Sequence, residues 1–248
     1  MIFETHGHYD DEKFDEDREE LFARFREEGV ELVMNIGADM TSSRNSCKLA
    51  EKYPFVYAAV GVHPSELEGL TEADMEELLA MSRLDKVKAI GEIGLDYYYG
   101  KDNREEQIKW FERQLELAAG VKLPVAAADT LNILKAHGDI EGGVVHCFSY
   151  GTEMAREYLD MGYYLGIGGV VTFKNSRKLK EVVEYAPLDR LVLETDSPYL
   201  APVPMRGKRN SALYIPYIAE EIAAIKGVDI SEVYEQTFAN GKALYRIK

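Results

Sequence analysis

The sequence predicts an α/β protein, a (β/α)8 TIM barrel folded as a single domain over residues 1–248. Three observations predict it. Eight short apolar, β-branched runs alternate with longer segments of helical period. No Pro/Gly/Ser linker, repeat or low-complexity tract divides the chain. Four of the five histidines fall at the ends of the apolar runs. Strands that alternate with helices pair in parallel, and eight of them close a barrel. An open doubly wound sheet would carry a glycine-rich phosphate loop after its first strand. THGHYD at 5–10 is no such loop.

The strand candidates are 1–6, 31–37, 56–62, 87–94, 123–127, 142–148, 162–169 and 190–196. Each is an apolar run short enough for a barrel strand. The helix predicted over 15–29 starts acidic, sets Leu21, Phe22 and Phe25 on one face and stops at Gly29. A second, over 104–120, repeats the pattern with Ile108, Phe111, Leu115 and Leu117. Two more helices are predicted over 211–227 and 231–245.

Composition narrows the function classes. With 29 basic and 44 acidic residues the net charge is −15. That excludes the broad basic footprint of a nonspecific nucleic-acid binder, but not nucleic acid as a substrate, because a metal centre supplies positive charge locally. No apolar run approaches the ~18 residues that span a bilayer, so no membrane partner is expected. The N-terminus lacks a basic start and apolar middle, and a cytoplasmic protein is expected. The two cysteines, Cys47 and Cys147, are expected to be buried thiols rather than a disulfide. Nothing in the sequence demands more than a monomer.

In a barrel the chemistry lies at the C-terminal ends of the strands. His6 and His8 end strand 1, His63 follows strand 3, Glu92 ends strand 4, His146 ends strand 6 and Asp196 ends strand 8. Only His137 looks like a helix-end residue. Side chains at i and i+2 of a strand share a face, so His6 and His8 look the same way. Imidazoles with carboxylates hold Zn, Mn or Fe, and carboxylates with water suffice for Mg. A carboxylate such as Glu92 can bridge two ions about 3.5–4 Å apart, and Asp196 can bind metal and take a proton from an attacking water. Singly, each has a plain structural explanation: His146 as a satisfied core residue, Glu92 as an ion-pair partner, Asp196 as a helix cap. Jointly, those explanations need five coincidences at one end of one barrel.

The stretches THGHYDD, GVHP, GEIGLDYYY, VVHCFS, GIGGVVTFKN, LETDSPYLAPVP and RGKRN resemble, nearly end to end, the TatD family of metal-dependent deoxyribonucleases, among the amidohydrolase-like barrels. The resemblance implies a barrel binding two divalent ions and hydrolysing phosphodiester bonds, often from DNA 3′ ends. It implies metal roles for His6, His8, Glu92, His146 and Asp196, catalysis through Asp196 and Glu92, and substrate contact by His63. The ions expected are Mg, Mn or Zn, one or two of them. Arg206, Lys208 and Arg209 are three cations in four residues. They are placed to grip DNA phosphates or to form a solvated basic turn. Tyr97 to Tyr99 are candidates to stack on bases, or simply to pack. A barrel hydrolase of another ester, amide or lactone, and a metal-free binding scaffold, are the competing readings.

The chain departs from the family at one pocket. The fifth strand of the family usually ends in His-Ser-Arg, and that histidine is a metal ligand. Here the chain reads LPVAAADTL at 123–131, and alanine offers no lone pair. Glu4 stands where the family usually has Asp, and Ser65 where a histidine is common. The missing ligand predicts one tight ion rather than two. Calorimetric titration of the metal-stripped protein with manganese checks it: one tight equivalent is expected, and two equally tight sites would contradict it.

Overall fold

The computed structural model describes residues 1–96, 103–128, 131–138, 140 and 142–248, without the side chains of 127 and 128. Among these residues lie the strands β1 (Ile2–Gly7), β2 (Val30–Ile36), β3 (Val56–Val60), β4 (Val87–Gly94), β5 (Val125–Ala128), β6 (Gly143–Val145), β7 (Tyr164–Ile167) and β8 (Leu191–Leu193). The helices are α1 (Arg18–Glu27), α2 (Met40–Lys52), α3 (Glu72–Ser82), α4 (Arg104–Val121), α5 (Leu131–Ala136), α6 (Thr152–Asp160), α7 (Arg177–Tyr185), α8 (Ile215–Lys226) and α9 (Ile230–Tyr245). The strands form one sheet in the order β1-β2-β3-β4-β5-β6-β7-β8. A parallel bridge between Gly7 and Ser197 brings the end of β1 beside the segment after β8. Spatial order equal to chain order, with first strand beside last, is the (β/α)8 barrel the sequence predicts. The chain gathers into two compact units, Met1–Met34 with His146–Lys248, and Asn35–Val145.

In the first unit every residue of β1 and β8 is buried. Helix α9 seals them. Tyr245 donates its hydroxyl to the Thr5 carbonyl at 3.0 Å, and the Asn240 amide donates to the Leu188 and Leu191 carbonyls at 2.9 and 2.7 Å. Phe3 packs against Phe238 and Tyr245. On α1, Leu21, Phe22 and Phe25 are buried, as their spacing predicts. The Tyr9 ring closes on Phe14, Phe22 and Phe25, which anchors the segment leaving β1.

In the second unit α4 fixes two strand-end loops through glutamines seven residues apart. Gln114 pairs with the backbone N–H and carbonyl of Val62, at 2.8 and 3.0 Å, and Gln107 pairs likewise with Asp96, at 2.9 Å each way. A side-chain amide thus does the work of a ladder partner, which buried backbone groups need. Gln107 and Trp110 are buried here while Ile108 is only half-buried, because two hydrogen bonds offset the burial of an amide. The alanine run keeps its strand: Val125, Ala126 and Ala127 pair with Gly143, Val144 and Val145. A Cβ on Gly91 would lie 2.7 Å from that of Ala126, so β4 and β5 approach closely at this point.

Strand boundaries differ from expectation mainly at β6 and β8. These stop at Val145 and Leu193, so His146 and Asp196 stand in the turns beyond their strands. His137 directly follows α5, as expected. Neither Cys47 nor Cys147 is in a disulfide, and both are half-buried rather than fully buried. No helix among the described residues is long and apolar enough to cross a membrane. Tyr97 to Tyr99 lie outside the described residues.

Candidate metal centre

The first unit brings four of the predicted ligands together. His6 sits one residue before the end of β1 and is fully buried; His8 follows the strand and is half-buried. His146 follows β6. Asp196 adopts φ +57 and donates its N–H to the His6 carbonyl at 2.9 Å, while His8 donates its N–H to the Ser197 carbonyl at 2.8 Å. These two backbone bonds fasten the β1 end to the turn after β8. The result is a tight cluster. Nε2 of His8 lies 3.4 Å from Oδ1 of Asp196, and Nε2 of His6 lies 3.8 Å from the same oxygen. The His6 and His146 rings stack at 4.0 Å, 9° from parallel.

One ligand atom from each of His6, His146 and Asp196 lies within 4.8 Å of the others. Donors sharing an ion at about 2.0–2.2 Å stand at most ~4.4 Å apart, so sub-ångström shifts close this set on a divalent cation. The donor chemistry suits one as well, being imidazole nitrogen with carboxylate oxygen. Burial pushes the Asp196 carboxyl up, but the imidazoles of His8, His6 and His146 outweigh it and hold the group below the usual carboxylate range. Asp196 is therefore ionised, as a ligand or proton acceptor must be.

Beneath the cluster lies a buried polar network. One Glu4 oxygen accepts the backbone N–H groups of His6 and Thr195, at 3.2 and 3.0 Å. The other accepts the hydroxyls of Thr195 and Tyr9, at 2.5 and 3.2 Å. Tyr9 in turn accepts the Ala212 N–H at 2.9 Å. Burial raises the Glu4 carboxyl to about 8, against the lowering effect of those hydrogen bonds. The longer side chain at position 4 thus points beneath the site and joins the backbone of His6 to that of Thr195.

Glu194 is a site residue that sequence reasoning missed. It is buried, and its Oε1 accepts the N–H of Cys147 at 2.5 Å. Cys147 has φ +46, so this bond holds the turn that aims His146. A Cβ on Gly166 would lie 2.1 Å from Oε2 of Glu194, so β7 needs a glycine there for the carboxylate to pass. The signal was present: a charged residue continuing an apolar strand, opposite a glycine strand.

The second unit places Glu92 beside His63, with Nε2 of His63 3.4 Å from Oε1 of Glu92. Backbone bonds from Glu92 to Gly37 and from His63 to Ala38, at 2.7 and 2.8 Å, set both residues. Ser65, where the family commonly has histidine, lies 2.7 Å from Nδ1 of His63 and donates to Glu66 at 2.9 Å. Of the cations, Arg209 makes a two-pronged bond to Asp17, at 2.8 and 2.5 Å, and is a structural clasp in this state. Arg206 is exposed, its guanidinium 4.0 Å from the centre of the Phe173 ring. Lys208 is exposed.

An imidazole–carboxylate cluster at the strand ends of a (β/α)8 barrel defines the metal-dependent hydrolases of this architecture. Comparison with known proteins narrows the class: residues 3–246 match the model of the TatD related DNase family, and the chain belongs to it. It is 42% identical to an uncharacterized metal-dependent hydrolase, YabD, of Bacillus subtilis, with both chains covered in full. It is 31% identical to the 3'-5' ssDNA/RNA exonuclease TatD of Salmonella typhimurium over 95% of each chain. Among solved structures it superposes on YJJV, a TatD homolog from Escherichia coli, with a TM-score of 0.93 and 29% identity, covering 100% of this chain and 98% of the other.

The Glu4 network has a measurable consequence. Glu4 is neutral in the fold up to about pH 8 but ionises near its ordinary 4.5 once unfolded. The folded pKa is raised, so its contribution to stability is complete below about 4.5 and is lost as pH rises through about 8. Glu4→Gln mimics the neutral carboxyl and should flatten that decline. Urea midpoints of the metal-stripped protein between pH 5 and 8 check this. A variant with the same slope as the parent would contradict it.

Proposed function

We propose that the protein is a divalent-metal-dependent nuclease that hydrolyses phosphodiester bonds of DNA from the 3′ end. The observation that carries this reading is the clustering of His6, His8, His146 and Asp196. His6, His146 and Asp196, joined by His8, would hold the ion, and Glu92 is proposed as a further ligand. A bound divalent ion supplies Lewis acidity toward a phosphoryl oxygen and lowers the pKa of a water. The chain does the rest. Asp196, a carboxylate, orients the attacking water and takes its proton. His63 faces Glu92 through Nε2 and is proposed to contact the substrate phosphate. Arg206, exposed at the surface, is proposed as a second phosphate contact, and Arg209 would join it only on releasing Asp17. The protein is proposed to work as a cytoplasmic monomer, one domain over residues 1–248.

One observation favours reduced activity. Residues 126–128 are alanines, so β5 supplies no donor where the family has a histidine. The catalytic rate should accordingly fall below that of relatives bearing the full ligand set.

Asp196→Asn keeps the shape of the side chain and removes its charge. It should lower the rate of release of nucleotides from single-stranded DNA by at least ~100-fold in manganese buffer. The circular dichroism spectrum should be unchanged. A variant keeping most of the parent rate would defeat the assignment.

A further inference from the structure

Large apolar side chains are exposed at six positions among the described residues: Met1, Leu84, Tyr185, Tyr199, Leu200 and Val203. Single exposed apolar residues are ordinary. Three of these six fall between residues 199 and 203, in the segment that follows Asp196, and exposed apolar side chains gathered on one loop beside a candidate site point to a binding surface. Tyr199 is 50% exposed, Leu200 39% and Val203 43%.

The patch is held out by design of the backbone. Leu200 has φ +52, a conformation a branched side chain adopts only when its surroundings impose it. The surroundings are identifiable. The Tyr199 N–H donates to the Asp196 carbonyl at 2.9 Å, and the Asn210 amide donates to the carbonyls of Tyr199 and Thr195 at 2.7 and 2.9 Å. Val203 donates its N–H to the Thr172 hydroxyl at 2.8 Å. A Cβ on Gly169 would meet the Leu200 carbonyl at 2.2 Å, so that glycine seats the loop. A surface fixed before binding loses little entropy on binding.

Its electrostatics select the occupant. In a chain of net charge −15, the Lys13 ammonium lies over one face of the Tyr199 ring, 4.3 Å from its centre, and the Tyr199 hydroxyl donates to Asp11 at 3.3 Å. An exposed aromatic ring with a cation over one face can stack a nucleobase on the other while the cation meets its phosphate. We infer that Tyr199, flanked by Leu200 and Lys13, is the base-stacking platform for the nucleotide next to the scissile phosphate, and that its occupant is single-stranded nucleic acid. This rests on the nuclease reading above. Because stacking does not read base identity, the platform tolerates any sequence.

The test uses the full-length protein in manganese buffer and two strands: an oligothymidylate, and the same strand with abasic sugars in its last three positions. Tyr199→Leu keeps apolar bulk but removes the ring; Tyr199→Trp restores a ring. For the oligothymidylate, Tyr199→Leu should raise KM about tenfold while kcat changes by less than about twofold, and Tyr199→Trp should return KM to the parent value. For the abasic strand the three proteins should share one KM. A parent that degrades the oligothymidylate with Tyr199→Leu matching its KM overturns the platform and leaves the nuclease reading standing. A parent that degrades neither strand overturns both. Unchanged KM with a lowered sedimentation coefficient for Tyr199→Leu would assign the ridge to a second copy of this chain, and also overturns the proposal.

Discussion

The candidate site depends on the fastening of β1 to the segment after β8. Backbone hydrogen bonds and one buried carboxyl make that seam. The His6 carbonyl accepts the Asp196 N–H, and the Glu4 carboxyl gathers the N–H groups of His6 and Thr195. His6 and Asp196 come from opposite ends of the chain, 190 residues apart by their numbers. Their side chains meet only because the backbones beneath them share hydrogen bonds. A buried carboxyl with four hydrogen-bond partners costs a great deal to break, since loss of one partner strands the others away from water. The seam is therefore a rigid base, which a metal site needs for its donors to converge within a few tenths of an ångström.

Charge is arranged at two scales. The surface as a whole is acidic and should slow the approach of a polyanion at low salt. Locally, three imidazoles hold Asp196 ionised, and Glu194 fixes the turn bearing His146 from below. The acidic groups thus divide by depth: Asp196 keeps its charge at the mouth, and Glu4 gives its up in the interior, where burial raises it to about 8. Two carboxyls are set to opposite protonation states by surroundings alone.

Much of this was legible in the residues. Eight apolar runs gave eight strands, and histidines placed after such runs marked the strand ends, because a polar side chain inside a closed barrel is tolerated only where it has work or partners. The Leu21, Phe22 and Phe25 stripe read directly as a buried helix face. What stayed hidden depends on contacts between distant segments. Gln107 and Gln114 look like surface residues until their amides are seen paired with loop backbone. Glu194 looks like part of a motif until the glycine of β7 opens a channel for it. Arg209 reads as a phosphate grip, and only the fold reveals Asp17 beside it. The alanines of β5 read as a break in the pattern, yet the strand forms, since ladder hydrogen bonds need backbone and not side chain.

The central claim is that His6, His146 and Asp196 close on one cation. Anomalous diffraction at the manganese edge, from crystals of the protein equilibrated with manganese, tests it most directly. The account predicts a peak within about 2.3 Å of one atom from each of these three side chains. A map with full occupancy elsewhere and no peak among them would contradict it.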